Sequence, residues 1–453
     1  MNYKIILLSL ILIPSSLIGG SGEGHQIQFN LWWIAPFVGI LLSIAVLPLI
    51  NHHFWEKNFG KISLFWALLF GIPFCVFYGI NIAFTHFTHA IFLEYIPFIV
   101  LLFALFTISG GIVIRGNFVG TPKLNLLFLF IGTVLASWMG TTGAAMLLIR
   151  PLIRANKWRK NKIHVIIFFI FLVANIGGSL TPLGDPPLFL GFLNGVNFFW
   201  TTTHLFFPMV FVSFLLMILF FLIDLYYYNK EIDNKPVIKP VNFSIEGKFN
   251  FILLIGVILS VILSGLYKDS LGFYQPYGND LRISFLLRDL ILFLLGVVSY
   301  KITSKSLRNE NGFTWFPILE VAKLFASIFI TIIPALLILE DKKVLFTTLN
   351  DNMYFWLTGI LSSFLDNAPT YLVFFNAAGA DPIKLMDSVS TLLAISSGAV
   401  FMGAMTYIGN APNFMVRSIA EENNIKMPSF FGYMAWSIII LVPIFILYSL
   451  LWF

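Results

Sequence analysis

The sequence predicts an all-α polytopic membrane protein built from two inverted-topology repeats, each with a re-entrant helical hairpin and a broken transmembrane helix. Three observations carry this. The 453 residues are 58% hydrophobic and only 11% charged, which is more apolar surface than one aqueous core can hide. The apolar runs are about 20 residues long, enough to cross a bilayer core of about 30 Å. Two polar, helix-breaking elements also recur in the same order half a chain apart. Ala136-Ser137-Trp138-Met139-Gly140-Thr141-Thr142-Gly143 answers Ser362-Ser363-Phe364-Leu365-Asp366-Asn367-Ala368-Pro369 at an offset of 226. Thr181-Pro182-Leu183-Gly184-Asp185-Pro186-Pro187 answers Thr406-Tyr407-Ile408-Gly409-Asn410-Ala411-Pro412 at 225.

Taken in order, residues 1–20 form a signal-like segment or a first transmembrane helix, with a cationic start at Lys4 and an apolar run from Ile5 to Leu12. The first repeat covers 31–228. Its spans are Leu31 to Ile50, Ile62 to Ile82 and Ile91 to Ile114, then a hairpin over 124–150, a helix over 163–193 broken at Gly177 to Pro187, and Leu205 to Tyr227. A polar, basic stretch over 229–250 with Pro236 and Pro240 reads as a cytoplasmic linker. The second repeat, 251–453, repeats the scheme. Phe251 to Tyr267, Ser284 to Tyr300 and Phe316 to Leu339 precede a hairpin over 353–378, a helix over 388–416 broken at Gly403 to Pro412, and Phe431 to Phe453.

Basic residues set the orientation. With both hairpins re-entrant, nineteen of the 27 Lys and Arg fall in one group of loops and five in the opposite group. Such a bias marks the nineteen as cytoplasmic, so the first hairpin enters from the cytoplasm and the second from outside. The implied location is a bacterial inner membrane, crossed many times. The net charge of +6 lies between apolar runs rather than on one face, so the partner is the lipid bilayer and not nucleic acid. A single cysteine, Cys75, excludes an internal disulfide and a multi-cysteine metal site.

Broken helices survive at membrane depth only where they line protein or a watery cavity, because an unpaired backbone group in lipid costs several kcal/mol. Interruptions duplicated in two halves point to a transporter's binding site. Asp366 and Asp185 lead the candidates, since a carboxylate at helix-centre depth costs about 2.5 to 3.5 kcal/mol on insertion scales and so faces a cavity, a cation or a partner. The hairpin tips add Thr141, Thr142 and Gly143 on one side and Asn367, Pro369 and Thr370 on the other. Hydroxyls, an amide and irregular backbone are the hard oxygen donors a dehydrated alkali cation needs. The breaks add Gly184, Pro187, Gly409, Asn410 and Pro412. A simple capping or turn role is the bland alternative for each. Glu320 and Lys323, one turn apart, read as a neutralising pair, Glu94 as an interfacial acid, His86 and His89 as residues of an outer loop, and Arg150 as a headgroup anchor.

These motifs resemble the ion transporter superfamily of D-type sodium/proton antiporters, citrate and dicarboxylate carriers and arsenite carriers. The resemblance is strongest to a bacterial branch named variously sodium:proton antiporter or citrate transporter, and it covers Leu31 to Phe453. It implies two hairpins and two broken helices around an ion and substrate site, a separate scaffold, and an elevator-type homodimer. Thr141, Thr142, Gly143, Asp366, Asn367 and Pro369 match the hairpin motifs; Gly184, Asp185, Pro187, Gly409, Asn410 and Pro412 match the break motifs. Dicarboxylate carriers are similar in having Ser-Asn-Thr at both tips, whereas the tips here read Gly140-Thr141-Thr142 and Asp366-Asn367-Ala368. An acid at one tip and another at a break suits Na⁺ and H⁺ better than a citrate-like anion. The expectation is a Na⁺/H⁺ antiporter with Na⁺ held by Asp366, Asn367 and Asp185; a sodium-coupled citrate or dicarboxylate transporter on the same fold is the alternative. No cofactor is expected beyond the transported or coupling ions, and no enzymatic activity. The Gly-x-Gly-Asp pattern of an intramembrane aspartyl protease would need glycine where Pro182 stands.

Overall fold

A computed structural model describes residues 29–231, 243–274, 279–341 and 349–453. The signal-like segment over 1–20 and most of the linker, with Pro236 and Pro240, lie outside them. Among the described residues, nine helices are long and apolar enough to cross a membrane. Sheet is confined there to two short antiparallel ribbons, one pairing Val113 with Glu246 and the other Phe273 with Arg282.

The helices follow the sequence, with instructive shifts. α1 (Ala35–Ile50) and α2 (His52–Tyr78) meet at Asn51, whose side chain accepts from Phe54 N and caps α2. α3 (Ile80–His89) continues into α4 (Ile96–Ser109) through a single π-helical stretch, Ala90–Tyr95. His86 and His89 therefore sit on a helix and not in an outer loop, and Glu94 is buried inside the π turn with His89 Nδ1 4.0 Å away. Residues 80–96 contain neither glycine nor proline, and Pro97 comes only after the π turn, at the start of α4, so nothing stops the helix over residues 83–90, where a loop was expected.

The first hairpin is α5 (Pro122–Met139) and α6 (Thr141–Ala155), turning at Gly140. α7 (Ile163–Leu172) ends earlier than expected, since Asn175 Nδ2 draws off the Ile170 carbonyl. A 3₁₀ turn, Ile176–Leu180, and the extended stretch to Asp185 follow, and then α8 (Pro186–Leu193) starts with proline at its first turn, where no backbone donor is lost. α9 (Trp200–Asn229) completes the first half. The second half holds α10 (Phe249–Leu266), α11 (Ile283–Ile302), the short α12 (Lys305–Glu310), then α13 (Phe316–Thr331) and α14 (Ile333–Asp341), which bend by 42°. Its hairpin is α15 (Asp351–Leu365) and α16 (Asn367–Ala377), turning at Asp366. After the short α17 (Pro382–Asp387), α18 (Val389–Met402) breaks into a 3₁₀ turn, Gly403–Met405. α19 (Ala411–Glu422) resumes after Asn410 and extends past the expected end at Val416, and α20 (Phe430–Trp452) closes the chain.

The second hairpin arms, α6 with 15 residues and α16 with 11, rise about 22 and 16 Å. Both fall short of a hydrocarbon core of about 30 Å. They pack crosswise: α6 lies against α19, and α16 against α8. Each hairpin thus holds the second piece of the other half's broken helix, which brings both tips and both breaks to one place. Away from them, α4 packs on α10 and α11, and α2 packs on α1 and α13.

A buried charge cluster fixes the base of the first hairpin. Asp224 of α9, fully buried, accepts from Arg159, from Asn125 Nδ2 at 2.9 Å, and lies 2.8 Å from His164 Nε2. Its partners come from α5, the loop after α6 and α7, so one carboxylate ties four segments. Buried charges persist when paired in this way.

Candidate functional site

Two turns of the same shape face each other across the centre. Gly140 has φ 80° and ψ 147°; Asp366 has φ 72° and ψ 144°. That region of backbone space is open to glycine and costs other residues about 1 to 3 kcal/mol. The conformation therefore repeats in both halves, and in the second it is occupied by an acid under strain. The Asp366 side chain accepts from Ala368 N at 3.1 Å, and its carbonyl accepts from Thr370 Oγ1 at 2.7 Å.

The breaks are braced identically. Thr181 Oγ1 donates to the Ser137 carbonyl, and Thr406 Oγ1 to the Ser363 carbonyl. Each threonine also accepts a following backbone N–H at 3.2 Å, from Leu183 and from Ile408. Gly184 and Gly409 are required here for close approach. A methyl group on Gly184 would strike the Gly178 carbonyl and come within 2.9 Å of Ser137 Cα, and one on Gly409 would meet the Gly403 carbonyl oxygen at 2.5 Å. Backbone atoms cannot swing aside as a side chain can. Gly184→Ala and Gly409→Ala should therefore each lower stability by about 1 to 3 kcal/mol, seen as a lower midpoint in thermal unfolding of the detergent-solubilised protein.

With the tips and breaks held, four of the predicted residues converge. The Asp185 carboxylate, 1% exposed, accepts from Thr141 Oγ1 at 3.1 Å, Asn410 Nδ2 at 3.0 Å and Asn367 Nδ2 at 2.5 Å. One donor comes from its own half and two from the other. The Thr141 backbone N–H donates to the Gly184 carbonyl at 2.9 Å, joining tip to break. Asn367 Oδ1 is buried without a hydrogen-bond partner among the described residues. Among the described residues, no basic side chain comes within ion-pair distance of Asp185 or Asp366.

Asn175 and Asn413 complete the crossing. Asn175 Nδ2 donates to Asn413 Oδ1 at 2.7 Å, and Asn413 Nδ2 donates to the carbonyls of Gly403 at 2.8 Å and Thr406 at 2.9 Å. Asn413 is a contributor the sequence reading did not single out. Its counterpart at the same offset is Leu188, so the internal repeat gave no signal for it. The prolines Pro187, Pro369 and Pro412 are buried in the first turns of α8, α16 and α19.

Two cavities flank the crossing. The smaller, about 80 Å³, is largely apolar and touches the first tip, including Thr142 and Gly143, together with Gly184 and Asp185. The larger, about 510 Å³, is lined by Asp366, Asn410, Tyr407 and Trp55. Among the described residues it also carries Glu56, Glu320 and Glu422 against a single basic group, Arg150. Arg150, expected as a headgroup anchor, lines this cavity. Glu320 accepts from Trp55 Nε1 at 2.9 Å, and Lys323 Nζ lies 5.2 Å from the centre of the Phe59 ring. Asp366 opens to this cavity; its neighbour Asn367 turns the other way, onto Asp185.

Residues 26–453 match the model of a family described as "Putative citrate transport". No curated protein matches the chain.

Proposed function

The chain belongs to the putative citrate transport family, a family of membrane-embedded secondary transporters, and from that premise we propose that it exchanges Na⁺ for H⁺ at the crossing of the two halves. The observation that carries this is the Asp185 carboxylate, buried among three neutral donors with no basic residue in reach among the described residues. A buried carboxylate without a counter-charge is too costly to persist. Either a proton or a small cation must neutralise it. The unpartnered Asn367 Oδ1 beside it is a ready second oxygen ligand for Na⁺.

Asp366 serves as the entry acid. Four carboxylates against one guanidinium in the cavity before it raise the local cation concentration. Na⁺ binds the deprotonated acids, and protonation on the far side of the membrane releases it. Competition for one site gives obligatory exchange when only loaded states cross. By the family resemblance, the hairpins and broken helices move as an elevator against the remaining helices, in a homodimer in the bacterial inner membrane with the basic loops cytoplasmic.

A second reading, sodium-coupled transport of citrate or a related organic anion, is favoured by the family description and by a cavity of about 510 Å³, far larger than an alkali ion needs. Proteoliposomes with an imposed pH gradient separate the two. Exchange predicts rapid loss of the gradient on adding Na⁺ or Li⁺, no response to K⁺, and no need for citrate; sodium-dependent citrate uptake without a response to Na⁺ alone would replace it with the second reading.

The pH dependence has a fixed sign. Because the cation binds the deprotonated carboxylate, lowering pH must raise the apparent Na⁺ Kd, approaching about tenfold per pH unit for one competing proton. Titrating Na⁺ against initial exchange rate at several pH values checks the slope, and a pH-independent Kd would separate proton binding from cation binding.

A further inference from the structure

Among the described residues Arg150 is the one basic side chain lining the large cavity, where the charge of Glu422 acts on it without a direct contact. Its Nη1 is buried and donates to nothing. No carboxylate among the described residues lies within 4.0 Å of it, although four line the same cavity. A guanidinium normally takes such a partner, and leaving the buried Nη1 unpaired is costly. The chain nevertheless builds a place for it. Gly312, at φ 61°, lets the backbone lie flat against the guanidinium, and any side chain there would strike Nη2. Arg150 is thus held toward the cavity and denied an internal acceptor.

From this geometry we infer that Arg150 is the anion-gripping side chain of a separate subsite for a small organic carboxylate in the large cavity. The planar guanidinium matches a carboxylate in a two-pronged hydrogen-bonded pair. The volume of about 510 Å³ lies within the range of about 300 to 1,000 Å³ typical of small-molecule sites. Phe316 and Phe414 line the cavity with accessible aromatic surface for the ligand's carbon skeleton, and Thr314 and Ser418 add hydroxyls. The surrounding acids limit the ligand to one carboxylate at Arg150, with further negative charge met by cations bound near Asp366. The subsite is separate from the Asp185–Asn367 crossing and so leaves Na⁺/H⁺ exchange possible there; it rests on the second, organic-anion reading and names the residue that would select for it.

The test uses the full chain in zwitterionic nanodiscs, with citrate, tricarballylate and succinate as probes in the presence of Na⁺, followed by calorimetry. Binding to the wild type that weakens about tenfold or more in Arg150→Gln, with intermediate affinity in Arg150→Lys, supports the subsite. Equal binding to Arg150→Gln and wild type overturns it and leaves the organic-anion reading standing. Absence of binding to the wild type by all three probes overturns both. A measurement without substitution guards against a variant that fails to fold: bound citrate should slow phenylglyoxal modification of Arg150, read by peptide mass. Modification at an unchanged rate under saturating citrate contradicts the inference.

Discussion

Replacing Asp185 with asparagine is expected to reduce exchange at least about 100-fold while leaving the protein folded. The amide is isosteric with the protonated carboxyl, so the crossing can still close. It cannot carry the charge that Na⁺ neutralises, and its Nδ2 would face donors from Thr141, Asn367 or Asn410 in place of an acceptor. Each charge-assisted hydrogen bond is worth about 1.5 to 3 kcal/mol, and 1.4 kcal/mol is a factor of ten. Losing one bond and the cation's own attraction gives the expected magnitude. Equilibrium measurement provides an independent readout. A ligand that binds only the folded state raises the unfolding midpoint, so Na⁺ should stabilise the wild type and do nothing for Asp185→Asn. A variant that is still raised by Na⁺ and still exchanges would remove Asp185 from the site.

The second large effect separates function from stability at Asp366. Its backbone at φ 72° and ψ 144° is glycine-like, and the strain of about 1 to 3 kcal/mol is released if glycine takes the place. Asp366→Gly should therefore melt higher than the wild type and lose exchange. Asp366→Ala should also lose exchange but melt no higher, since it keeps the strain and drops the acceptor for Ala368 N. Thermal unfolding and exchange measured on the same preparations give the pair of signs. A stabilised Asp366→Gly that still exchanges would make the acid a turn residue only.

Both predictions began in the sequence. The offsets of 226 and 225 were legible because glycine, proline, asparagine and aspartate interrupt otherwise apolar helices, and each interruption has a local cause that survives without tertiary information. The offset even set Asp366 opposite Gly140, and the two share one backbone conformation. The convergence of Thr141, Asn367 and Asn410 on Asp185 was not legible. It depends on the crosswise packing of α6 with α19 and of α16 with α8, a contact between halves that no internal periodicity encodes. The same holds for Asn175 and Asn413, 238 residues apart. Nor could the early end of α7 be read, because the residues from Ile170 to Ala174 contain no breaker and the helix stops only when Asn175 takes the Ile170 carbonyl. Arg150 looked like a lipid anchor because it follows an apolar run and precedes a basic loop. Only the tertiary fold turns it toward the cavity shared with Asp366.

In the proposed exchange one buried carboxylate, Asp185, is neutralised either by Na⁺ or by a proton. The most direct test is proton release from the purified protein in weakly buffered detergent at neutral pH. Adding Na⁺ is expected to acidify the solution, choline is not, and Asp185→Asn is expected to release nothing. Na⁺ binding without proton release, or binding that appears only once citrate is present, would contradict it.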